Sequence, residues 1–103
     1  MTSDLAPALP NLHDAILESI EINWDGATAI LRLGLVGDPP PKLALAFSGL
    51  REAYIPRDEP WGPSVFVNAT EYADGSDEGD LTLRLEMQSG DVIRLRAASL
   101  AIV

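Results

Sequence analysis

Apolar side chains recur along this chain with a period of two, the spacing that puts alternate residues on one face of a β-strand, and no stretch keeps helical spacing. From position 16 to 24 the even residues are Ile16, Glu18, Ile20, Ile22 and Trp24, so the even face is predicted to point inward. Asp25-Gly26 follows, a dipeptide suited to a two-residue type I′ turn because both central positions of that turn need positive φ. Closing there sets Trp24 against Ala27, Ile22 against Ala29, Ile20 against Leu31 and Ile16 against Leu35, apolar on apolar. Asn23 with Thr28 and Ser19 with Arg32 fall on the other face, the parity a half-buried antiparallel pair requires.

Gly37-Asp38-Pro39-Pro40-Pro41 interrupts the pattern, since consecutive prolines cannot donate to a ladder. Positions 42–48 resume it, with Leu43, Leu45 and Phe47 inward, and 49–63 reads as the longest irregular segment. Positions 64–73 form a fourth strand; its apolar residues occupy both parities, which reads as a central strand covered on both faces. After the polar tip 74–80, Leu81, Leu83, Leu85 and Met87 alternate in a fifth strand. A two-residue loop would set Leu85 against Arg94, whereas a three-residue loop of Gln88-Ser89-Gly90, with Gly90 left-handed, pairs Leu85 with Ile93, Leu83 with Leu95 and Leu81 with Ala97. The tail 98–103 extends strand six, folds back or meets another subunit; the pattern leaves these open. The expectation is all-β, about six antiparallel strands in a meander curled into a small sandwich or open barrel. Residues 1–103 make a single domain, with 1–11 a flexible or extended arm.

Composition narrows the function classes. With 103 residues, 47% hydrophobic and 22% charged, the chain can build one core, and its lack of cysteine leaves that core without covalent staples. A net charge of −9 argues against nucleic acid, whose phosphates call for clustered Lys and Arg. The first residues carry neither a basic leader nor a long apolar run, so no membrane association and a cytoplasmic address are expected. No phosphate loop or nucleophile elbow occurs, and no cofactor is expected.

Four features bear chemistry. His13, the single histidine, stands beside Asp14, as a general base would or as residues tying down the first strand would. Glu18 interrupts the inward face and needs either the rim, near water or Arg32, Arg94 or Arg96, or a pocket that perturbs it; His13, Asp14 and Glu18 together are the candidate pocket of a small enzyme or ligand-binding protein. The acidic tip 74–80 fails the calcium-loop template because its twelfth position is Leu85, and no metal site is expected. Ser89-Gly90-Asp91 is not counted among the four, because the register explains it as a hairpin turn.

The fourth is the stretch 54–63. Prolines at 56, 60 and 63 stiffen it, so Tyr54, Arg57, Glu59 and Trp61 form a candidate binding surface with little entropy to lose; the other use of Trp61 is to cap an open end of the barrel.

Three islands, Leu12-His13-Asp14-Ala15 with Ile20 and Trp24, Pro60-Trp61-Gly62-Pro63-Ser64, and Glu86-Met87-Gln88-Ser89-Gly90-Asp91-Val92, together resemble small bacterial proteins of uncharacterised function. The first is also similar to the start of immunity-type proteins of bacterial toxin systems, which are short, acidic and bind a partner without catalysis. The resemblance implies a β-domain and carries over no catalytic residue. The expected function is therefore a small acidic, non-enzymatic protein-binding module whose partner presents a basic surface, with self-association through the apolar tail left open.

Overall fold

The computed structural model describes residues 9–75 and 79–103, so residues 1–8 and the middle of the acidic tip lie outside the described residues. Six antiparallel strands form one open sheet in the order β1-β2-β3-β6-β5-β4: β1 Ile16–Asn23, β2 Thr28–Gly34, β3 Lys42–Tyr54, β4 Val67–Gly75, β5 Asp80–Met87 and β6 Val92–Ile102. The order is mostly that of a meander, and the sheet is not closed into a barrel. One hydrophobic core buries Leu31, Leu33, Leu45, Phe47, Leu83, Leu85, Met87 and Leu95 of the sheet, and Leu12 and Ala15, from the arm that runs on through residues 9–15 into β1, join it.

The predicted cores of both hairpins hold. Ile20 pairs with Leu31 and Ile22 with Ala29, while Leu85 pairs with Ile93, Leu83 with Leu95 and Leu81 with Ala97. Gly90 has φ +100°, and Gly90 N–H donates to Met87 C=O at 2.9 Å, as the three-residue loop requires. The tail continues β6 along β3, Phe47 pairing with Leu100 and Leu45 with Ile102.

Five local expectations need correcting. The β1–β2 turn is not type I′: Asp25 and Gly26 both keep negative φ, Ala27 takes φ +55°, and Asn23 Oδ1 accepts Gly26 N–H at 3.0 Å. Trp24 belongs to this turn, beyond the last ladder pair of Asn23 with Thr28, so strand parity does not carry it inward. A bulge at Glu18 shifts the register, so Ile16 pairs with Gly34 instead of Leu35 and Leu17 takes the inward place. Positions 49–54 are not irregular but continue β3: Gly49, at φ +64°, passes so close to Ala98 that a Cβ there would lie 2.7 Å from the alanine's own. Finally, β4 is an edge strand, not a central one. Its apolar residues occupy both parities because a bulge at Asn68 hands the inward face from Val67 to Thr70 and Tyr72, opposite Leu85 and Leu83.

Candidate functional site

Because neighbouring strands all run antiparallel, the β1–β2, β3–β4 and β5–β6 connections leave the sheet at one end. The β3–β4 connection must travel from the middle of the sheet to its far edge, across the ends of β6 and β5. It therefore lies over the β5–β6 turn, and that turn is built to hold it. Asp91, 4% exposed, accepts the backbone N–H of Asp58 at 2.9 Å and of Glu59 at 3.1 Å. Ser89 Oγ donates to Asp91 Oδ2 at 2.7 Å and stands 2.9 Å from Ser64 Oγ, while Trp61 N–H donates to Ser89 C=O at 3.0 Å. Burial pushes the Asp91 carboxyl up, but the hydrogen bonds from Ser89, Ser64, Asp58 and Glu59 together outweigh it and hold its pKa below the ordinary carboxylate value.

Held this way, the connection presents its large side chains outward. Trp61 is 79% exposed, with one edge of its ring against Gly90; a Cβ at position 90 would lie under 3.0 Å from that ring. Tyr54, at the end of β3, is 55% exposed and carries the Arg94 guanidinium 5.5 Å from its ring centroid. Arg57 and Glu59 pair with each other at 2.9 Å, and Glu59 takes φ +55° where the chain turns toward Trp61. Arg57, Glu59 and Trp61 thus share one connection, and Tyr54 closes β3 at the same end of the sheet. Trp24, 89% exposed on the adjacent β1–β2 turn, stands at the same end and was missed by the parity argument. Asp91 was missed too; its only sequence signal was its place beside a turn.

The other candidates lie apart. His13 Nδ1–H donates to Asn68 C=O at 2.8 Å, and His13 Nε2 is 3.5 Å from Asp14 Oδ1, which also accepts a 2.6 Å bond from Gln88 Nε2. The first of these bonds fastens the arm to β4 and the last fastens it to the β5–β6 turn. Glu18 is exposed and pairs with Lys42, not with any of the three arginines expected near it. His13 lines a cleft with Asn11, Asn68, Thr70 and Tyr72, whereas Glu18 lines a different one with Ile20, Arg57 and Val65. Among the described residues no group of three or more His, Cys, Asp or Glu could hold a metal ion.

No family model, curated protein or solved structure matches this chain.

The charges have a pattern of their own. All seven Lys and Arg side chains are already ion-paired: Arg32 with Glu21, Lys42 with Glu18, Arg51 with Asp80, Arg57 with Glu59, Arg84 with Glu71, and Arg94 and Arg96 with Glu52, Arg96 also reaching Asp80. Asp25, Asp58 and Glu86, all exposed and all at the three-connection end, make no ion pair with a basic side chain.

Proposed function

We propose that this chain is a non-enzymatic protein-binding module that uses the end of the sheet bearing Trp24, Tyr54 and Trp61 to hold a partner with a basic surface. The observation that carries this reading is Trp61: a large aromatic left 79% exposed on a connection pinned by a buried carboxylate. Exposing that ring forgoes burial, and fixing its backbone removes entropy that binding would otherwise have to take away. Trp, Tyr and Arg are also the types that dominate interface energetics. The charge pattern supports the basic partner, because cations paired internally leave the three acids at this end to set the field. Binding a partner without catalysis, as the likeness to immunity-type proteins implies, would use such a surface.

The test is recovery of the wild-type chain, Trp61→Ala and Trp24→Ala from native cells, each shown folded by circular dichroism, followed by kinetics on the protein that copurifies. A hot-spot tryptophan is worth at least about 2 kcal/mol, roughly thirtyfold in Kd, expressed mainly as a faster off-rate. A partner that binds folded Trp61→Ala and wild type equally would overturn the assignment of this surface.

A further inference from the structure

β1 is one of the two edges of the sheet, and among the described residues the outer side of that edge is occupied only at its start. Leu17 N–H donates to Val65 C=O at 2.9 Å, and Ile16 bridges Phe66. Beyond them, among the described residues, no other segment makes a backbone hydrogen bond to that side of residues 19–23. The β4 edge is likewise covered at its beginning, there by the arm: Asp14 N–H donates to Val67 C=O at 2.8 Å and Val67 N–H to Ala15 C=O at 2.9 Å. An uncovered edge is a row of unpaired N–H and C=O groups that accepts an extended chain. Residues 19–23, Ser-Ile-Glu-Ile-Asn, contain neither of the usual blocking residues, Pro and Lys.

Two clefts run beside this edge and meet at Ile55. One, of about 360 Å³, is lined by Ile22, Trp24, Leu50 and Ile55 together with the ion-paired Arg51 and Glu52; the other, of about 250 Å³, by Leu17, Ile20, Ile55 and Val65 together with the ion-paired Glu18 and Arg57. A strand laid along residues 19–23 would continue the pairing that Val65 begins, and its side chains would alternate between the clefts and solvent. Apolar residues suit the clefts. Lys and Arg suit the solvent side, beside a protein of charge −9 whose own cations are all paired. A second copy suits it poorly, since its edge would bring Glu21 and the same net charge.

We propose that the partner supplies an extended segment of alternating apolar and basic residues, which adds to the free edge of β1 at residues 19–23 as a seventh strand with its apolar side chains in the two clefts that meet at Ile55. This rests on the binding-module reading and gives the partner's form.

The probe is a capped nine-residue peptide alternating valine and lysine, titrated into the full chain while amide hydrogen exchange is followed by NMR. Saturation should slow exchange at least tenfold at those residue 19–23 amides that point away from β2. Replacing lysine by glutamate in the peptide should weaken binding at least tenfold, and so should Ile22→Lys, which puts a charge in the cleft at a position already 42% exposed. In an extended peptide the valine N–H groups point to one side and the lysine N–H groups to the other. N-methylating one set should therefore cost at least tenfold, and N-methylating the other set little. No binding, binding without protection of residues 19–23, equal behaviour of the two methylated peptides, or a wild-type dimer already protected there would each overturn the proposal. Partner binding lost in Trp61→Ala but kept in folded Ile22→Lys would retain the module and discard the added strand; the reverse would retain the strand and discard the loop surface.

Discussion

Replacing Gly90 by alanine tests whether Trp61 is held in place or merely happens to lie there. The alanine must adopt φ +100°, and its Cβ must displace the tryptophan ring and crowd Pro60 Cγ, 3.2 Å away. Gly62 separates the two effects, because at φ +132° it has nothing within 4 Å of a built Cβ. Gly62→Ala should cost only the backbone strain, about 1–2 kcal/mol. Trp61 at 79% exposure keeps roughly a fifth of its surface covered. For an aromatic that buries about 150–250 Å² when enclosed, that is roughly 30–50 Å², or about 1 kcal/mol at ~25 cal/mol per Å². Gly90→Ala should therefore cost about 2–3 kcal/mol and lower Tm by about 10–20 °C in a domain of this size. Thermal unfolding followed by circular dichroism measures both variants, alone and in a Trp61→Ala background. In that background the cost of Gly90→Ala should shrink by about 1 kcal/mol, toward that of Gly62→Ala. An equal cost in both backgrounds would refute the contact and, with it, the picture of a tryptophan fixed from below.

Asp91 should shape the acid limb of the stability curve. Its folded pKa lies below the ordinary 3.8, so its contribution is complete above that value and lost as pH falls through the folded pKa; urea midpoints across this range should flatten in Asp91→Asn. His13→Ala removes one exposed hydrogen bond to Asn68 and should cost about 0.5–1.5 kcal/mol in urea unfolding while leaving partner affinity unchanged. For wild type and partner in stopped flow, the on-rate should fall as the Debye length shrinks from about 10 Å at 0.1 M salt to about 3 Å at 1 M, and a flat salt series would remove the electrostatic steering.

What the sequence disclosed follows from how period two works. Parity alone recovered the pairing of β5 with β6, because only one loop length kept Leu85 away from Arg94. The β1–β2 register was legible for the same reason, yet its turn was not: Asn23 caps Gly26 N–H and moves the left-handed residue to Ala27, a choice made by one side chain. The bulges were legible only as symptoms. Glu18 looked like a carboxylate on the inward face, and the apolar residues on both parities of β4 looked like burial on two sides, when each marked an extra residue. A third bulge, at Arg51, lay hidden in the stretch that Gly49 seemed to break. Of the site, Tyr54, Arg57, Glu59 and Trp61 could be grouped because they are neighbours in the chain. Asp91 could not, because what it holds is more than 30 residues away in sequence.

The three bulges also say where this fold tolerates a change of length. Glu18, Arg51 and Asn68 are each the surplus residue between two stretches whose inward faces already agree in space. A descendant lacking one of them keeps Leu17 and Ile20, Leu50 and Ala53, or Val67 and Thr70 on the side where they now lie. Elsewhere in a ladder, a one-residue loss turns every following side chain over. Single-residue deletions should therefore survive at these three polar positions and fail in the unbroken run of β2, making the bulges the places where length can drift without the core being rewritten.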